Sequence, residues 1–366
     1  MSSAPGNTAT ASSPSAERAR GARHRGSLLI CALVLAYASL YPFQPLRLPG
    51  PDAIPTFFSP RYLTAFDVIL NAVAYMPFGA LAYLSFRSLG SPIARAVALC
   101  AGFSFSMEML QLFVPFRVSS LTDVVSNTVG GAAGALLFAE PLHAHTTQPL
   151  ERMRERLVVA GPWGDAGLVL VALWMVAQLN PALPFFEAGN IAPGDAEPWQ
   201  EAWSMIVLQA TAIGLGVTGF GLFVSVLLNG PRGGLRFTVV LLSIALWLKF
   251  FMAATMLKPH FNADWVNEVR VIGLAAGLLL FIAVRGFSRR TRTYLAIVLV
   301  LAGALFAKVV GDYSPMDDLV RLFNWPHGQL ATFNSLTRYL HEVWPLLALA
   351  YLIASFVGQK GVQRAP

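Results

Sequence analysis

The chain has 366 residues, of which 55% are hydrophobic and only 12% charged. A soluble domain carries about 25% charged residues, so this composition excludes a soluble globule, a disordered chain and a coiled coil. The net charge of +7 raises the question of nucleic acid, but the arrangement of that charge along the chain points elsewhere.

Residues 1–26 are rich in Ser, Ala, Thr and Gly and then basic, with Arg18, Arg20, Arg23 and Arg25. Such a stretch cannot bury a core and is expected to be a disordered basic tail. Ala36-Tyr37-Ala38 has the look of a signal-cleavage site. The apolar run continues past it to Leu46, which favours a retained anchor.

Crossing a bilayer core of ~30 Å takes roughly 20 mostly apolar residues, and inside lipid only helices or closed barrels satisfy the backbone. Long apolar runs, not dyad alternation, fill this chain. The expected fold class is therefore all-α, a polytopic membrane bundle of about ten helices. The runs are 27–46, 66–86, 94–113, 122–140, 165–183, 202–228, 236–257, 268–285, 293–311 and 338–357.

Lys and Arg accumulate in cytoplasmic loops. If the chain starts inside and alternates, every inner segment holds at least two basic residues. Seventeen of the 26 Lys and Arg then fall inside and seven outside, with Lys249 and Lys308 within runs. Both termini are expected in the cytoplasm, and the protein in the cytoplasmic membrane. The basic surplus reads as orientation and contact with anionic lipid heads, and no separate basic domain remains for nucleic acid. Cys31 and Cys100 fall in inner halves of their runs and read as small apolar packers.

The organisation expected is a four-helix unit at 27–141, a cytoplasmic linker at 142–164, a six-helix extension at 165–358 and a tail at 359–366. The linker carries Pro149, Pro162, Arg152, Arg154 and Arg156. A short repeat marks the first unit: Asp67-Val68-Ile69-Leu70-Asn71 opens the second run and Asp123-Val124-Val125-Ser126-Asn127 the fourth. Asp starts helices well. An Asn one turn deeper, twice, suggests a duplicated or shared binding role.

Charged and strongly polar groups inside spans are costly and usually functional. Asp67 and Asn71, Glu108 and Gln111, Arg117, and Asp123 and Asn127 all fall toward one membrane face within three neighbouring helices. Carboxylates beside an Arg suit cation binding, proton sharing or clamping of a head group. Arg117 suits bidentate contact with carboxylate or phosphate. The bland alternative is structural: Asp and Asn cap helices, and Arg117 bridges Glu108 or Asp123 across the turn. Lys249, deep in the seventh run with no local carboxylate, is a secondary candidate and a conceivable partner for Glu108.

Three stretches together resemble the VanZ-like family. They are Asp67…Asn71…Pro77-Phe78-Gly79, Glu108…Gln111…Phe113…Pro115…Arg117, and Asp123-Val124…Asn127…Gly130-Gly131. The likeness covers about residues 30–140 and implies a small polytopic membrane domain. It also implies a link to resistance against the glycopeptide teicoplanin, with no settled chemistry. Some 200 residues follow that domain, so a resistance role does not carry over by itself.

In the extension, Gly214, Gly216, Gly219 and Gly221 suit close helix packing. Residues 184–201 and 312–337 form long outer loops. Trp163, Trp199, Trp203, Trp325 and Trp344 stand near run ends, as an aromatic belt would place them. His143-Ala144-His145 lacks a third ligand nearby, and no metal or cofactor is expected. The leading functional reading is a binder of a polar or anionic envelope head group at the outer leaflet, of the glycopeptide or lipid-linked precursor class. The alternatives are a transporter or flippase for an envelope component, and a membrane transferase acting on a lipid-linked substrate.

Overall fold

The computed structural model describes residues 14–40, 46–59, 65–115, 117–139, 142–145, 147–181, 183, 185–186, 203–257, 268–310 and 327–362. Among these it is all-helical, with an isolated antiparallel bridge between Val158 and Leu228 as the departure. The chain divides into two compact units between Glu151 and Arg152.

The first unit is built from α1 (Pro14–Leu40), the short α2 (Ala53–Phe58), α3 (Ala65–Phe86), α4 (Pro92–Gln111) and α5 (Leu121–Phe138). The four-residue α6 (Leu142–His145) follows, and α7 (Thr147–Leu157) runs across the division. The second unit holds α8 (Pro162–Ala177), α9 (Trp203–Leu227), α10 (Pro231–Met256), α11 (Glu268–Val284), α12 (Arg289–Val310) and α13 (His327–Val362).

A helix overlaps each of the ten apolar runs. Among the described residues, six helices contain a stretch long and apolar enough to cross a membrane: Asp67–Phe86, Pro92–Gln111, Leu121–Phe138, Val207–Leu227, Gly234–Met256 and Thr337–Val357. His24–Leu40 and Pro162–Ala177 are apolar but shorter. Two expectations shift. Helix α1 begins at Pro14, inside the stretch whose composition reads as disordered. Proline suits the first turn of a helix, and the Ala, Glu and Arg that follow are good helix formers. The 142–164 linker is likewise largely helical, as α6, α7 and the start of α8.

The core of the first unit rests on α3 and α5, which approach to backbone contact. A Cβ added to Gly79 would land on the Gly131 carbonyl, one on Gly130 on the Ala72 carbonyl, and one on Gly134 on the Met76 carbonyl. Small residues substitute here for the hydrophobic effect, which cannot drive helices together within lipid. On the other side of α5, a Cβ on Gly131 would meet Cys100 Sγ at 2.5 Å, so the free, fully buried Cys100 packs directly on that glycine. Tyr75, Phe78 and Phe103 complete this core with tilted and edge-on ring contacts.

In the second unit α9 is the central element, apolar on every side and largely buried. Its glycines do the packing that their sequence suggests. A Cβ on Gly221 would meet the Phe281 ring at 2.9 Å, and one on Gly277 of α11 would meet the Gly214 carbonyl at 2.8 Å. The Thr218 hydroxyl donates to the Gly277 carbonyl at 3.0 Å, joining α9 to α11. Trp174 stacks on Phe220 with ring centroids 4.0 Å apart. Trp344 is not part of an aromatic belt: it lies in this core, and its indole N–H donates to the Leu170 carbonyl at 2.7 Å.

If the α3–α5 contact governs the first unit, Gly130→Leu should abolish most accumulation of folded protein. Gly102→Ala should leave it unchanged, because nothing lies within 4 Å of a Cβ there. Size-exclusion chromatography of the detergent-extracted variants measures both.

Candidate functional site

The seven polar residues singled out from the sequence all lie in the first unit, on α3, α4, α5 and the turn between α4 and α5. Asp67, Glu108, Gln111, Asp123 and Asn127 are buried, each at 8% exposure or less. Asn71 and Arg117 are half-buried. The close approach of α3 and α5 brings Asn71 to Asp123: the Asn71 amide donates to Asp123 Oδ1 at 2.7 Å. The two copies of the Asp-x-x-x-Asn pattern thus meet across a helix pair, and the Asn of one serves the Asp of the other. Asp67 lies within electrostatic range of Asp123.

Glu108 secures the start of α5. Its Oε2 accepts the backbone N–H of Ser120 at 2.9 Å, while its own carbonyl accepts the Ser119 hydroxyl at 2.7 Å. Ser120 is the N-cap of α5 and its side chain accepts from the Thr122 N–H at 3.1 Å. The positive end of the α5 dipole therefore meets two buried carboxylates, Glu108 from α4 and Asp123 from its own first turn.

Gln111 and Arg117 turn to the end of α1. The last carbonyls of a helix have no partner within it. Gln111 Nε2 donates to the Ser39 carbonyl at 2.8 Å, and a terminal nitrogen of Arg117 donates to the Ala38 carbonyl at 2.6 Å. This corrects the expectation of a bridge from Arg117 to Glu108 or Asp123. Both carboxylates lie within electrostatic range of the guanidinium, but among the described residues neither forms a direct ion pair with it. Burial pulls the Arg117 pKa down, and the two carboxylates oppose that shift. Its Nε is buried with no hydrogen-bond partner among the described residues.

A deeper layer was not legible in advance. Asn127 Nδ2 donates to Ser104 Oγ at 2.9 Å, and Asn127 Oδ1 is buried without a partner among the described residues. The Tyr75 hydroxyl, also buried, lies beside Ser104. Ser104 and Tyr75 looked like ordinary helix residues, since nothing in their spacing sets them apart. Ser120 was the findable one, because Ser120-Leu121-Thr122-Asp123 has the spacing of a helix-start capping box.

The cluster thus holds three carboxylates, one guanidinium with a free donor, and amide and hydroxyl groups with capacity left over. Such a set can take a ligand that carries hydroxyl or amine donors together with an acceptor for Arg117. Among the described residues no group of three His, Cys, Asp or Glu is arranged to hold a metal ion.

Residues 10–142 match the model of the VanZ/LLP1 family. The amino-terminal part of the chain is VanZ-like. Protein VanZ of Enterococcus faecium is 32% identical over 72 residues, which cover 20% of this chain and 44% of that protein. The chain thus matches less than half the length of that relative. No solved structure matches the chain. All seven clustered residues fall inside the VanZ-like segment.

Lys249 is held within the second unit. Its ammonium, fully buried on α10, donates to the carbonyls of Asn180 at 2.8 Å and Leu183 at 2.7 Å, just beyond the end of α8. Asn180 Nδ2 in turn donates to the Thr337 hydroxyl at 2.8 Å on α13. The long loops expected on the outer side fall largely on 187–202 and 311–326, outside the described residues, and Trp199 and Trp325 with them.

Asn71→Ala would strip a buried carboxylate of a hydrogen bond in a low-dielectric setting. It should destabilise the VanZ-like unit by about 1–3 kcal/mol. In Asp123→Asn, which removes the charge, the same Asn71 change should cost less. Thermal melts of the single and double variants in detergent measure the coupling.

Proposed function

We propose that this protein is a multi-pass component of the cytoplasmic membrane that binds a polar cell-envelope head group at the outer leaflet. The chain crosses about ten times with both termini in the cytoplasm, which puts the turn between α4 and α5 outside. The basic residues of the inner segments support that orientation.

Asp67, Glu108 and Asp123 contact hydroxyl or amine groups of the ligand. Arg117 holds an acceptor such as a carboxylate or phosphate oxygen. Asn71, Gln111 and Asn127 keep these groups in register. The observation that carries this reading is the buried Arg117 Nε, a charged donor without an acceptor among the described residues, beside carboxylates already engaged with the fold. Three acidic groups against one basic favour a ligand with amine or hydroxyl character around a single acidic point. Glycopeptides and lipid-linked wall precursors have that chemistry, and the VanZ-like segment places the chain beside a family linked to glycopeptide resistance.

The test is equilibrium binding of labelled teicoplanin, and separately of a lipid-linked peptidoglycan precursor, to the full chain in lipid nanodiscs. Binding of at least one is expected. Glu108→Gln and Arg117→Lys should each weaken it at least tenfold while the melting temperature falls by only a few degrees. Binding of neither probe, or variants that bind as the parent does, would overturn the proposal.

A further inference from the structure

A second group of cations stands in the other unit, outside the VanZ-like segment of the sequence. Helix α12 opens at Arg289, and Arg292 follows one turn later on the same face. Both guanidiniums point back at the end of α9. Arg289 donates to the Val226 carbonyl at 3.0 Å, and Arg292 to the Ser225 carbonyl at 3.2 Å. These are last-turn carbonyls of α9, and capping them is a structural task. That task uses one donor of the five each guanidinium carries.

What remains is unusual for a purely structural cap. Arg292 is buried at 6% exposure, and its Nε has no partner among the described residues. The charge that acts on it is another cation, Arg289. Burial first, and then that like charge, pull the Arg292 guanidinium below its ordinary pKa. Neither Arg forms an ion pair with a carboxylate among the described residues. Two guanidiniums one turn apart repel, and burying one of them removes the water that would screen the repulsion. The N-terminus of the 22-residue α12 adds its own positive dipole at the same point. Arg289 and Ser288, at the start of α12 beside the buried Arg292, are exposed. The neighbouring Arg290 lies over the Phe356 ring at 5.6 Å, which leaves it at the rim.

We infer that Arg289 and Arg292, at the start of α12, form a binding site for a phosphate group. Phosphate offers several acceptor oxygens in a geometry that suits two guanidiniums at once, and its charge relieves their repulsion. An anionic phospholipid head group and free phosphate share this chemistry.

The test uses the full chain in nanodiscs of pure phosphatidylcholine and of phosphatidylcholine mixed with phosphatidylglycerol, each with and without inorganic phosphate at constant ionic strength. The melting temperature is read, together with phospholipid retained on the protein by native mass spectrometry. A rise of several degrees with phosphatidylglycerol alone identifies a lipid head group. A rise with inorganic phosphate in the neutral lipid identifies the free ion. In either case Arg289→Gln should reduce the increment to a third or less, and Arg292→Lys, which keeps a charge but loses Nε, should do the same. Arg289→Gln serves alone if the buried variant fails to accumulate. A parent protein that responds to neither, or variants that respond as fully as the parent, would overturn the site.

Discussion

Within lipid there is no water to satisfy a polar group, and the first unit is organised by that constraint. The end of α1 leaves carbonyls bare, and Gln111 and Arg117 reach across to them. The start of α5 leaves N–H groups bare, and Ser120 and Glu108 meet them. Asp123 is a buried acid, and Asn71 serves it from the neighbouring helix. The Asn71–Asp123 contact depends on α3 and α5 lying at backbone distance, which Gly79, Gly130 and Gly134 permit. That part of the polar cluster is a consequence of the glycine contact and also its reinforcement.

The same residues serve structure and chemistry, and the two are not alternatives. A capping contact uses one or two donors of a side chain that has more to offer. Glu108 spends Oε2 on the Ser120 amide. Arg117 spends one terminal nitrogen on Ala38 and keeps Nε. Asn127 spends its amide on Ser104 and keeps its carbonyl. What is kept, in a site already held rigid by what is spent, is available for recognition without a further ordering cost. The second unit repeats the pattern with different parts. Lys249 serves the carbonyls after α8, and Arg289 and Arg292 serve those that end α9.

The helices could be read from the sequence because long apolar runs leave the chain no other solution. The seven polar residues could be read because a buried acid or amide stands out against an apolar background, and because the Asp-to-Asn spacing occurs twice. Their partners could not. Ala38, Ser39, Asn180 and Leu183 take part through backbone carbonyls, which no side chain announces. Trp344 has the composition of an interfacial residue but finds an acceptor inside the bundle, at Leu170. Pro14 opens a helix within a stretch whose composition suggests disorder, because local helix propensity there is better than its overall polarity indicates.

Which side of the membrane the cluster faces decides whether it can meet an envelope ligand at all. Val118 is half exposed in the turn beside Arg117, so a Val118→Cys variant in a background lacking Cys31 and Cys100 reports that side. A membrane-impermeant maleimide applied to intact cells should label it fully. Labelling that appears only after the cells are lysed would put the turn in the cytoplasm and contradict the outward-facing site.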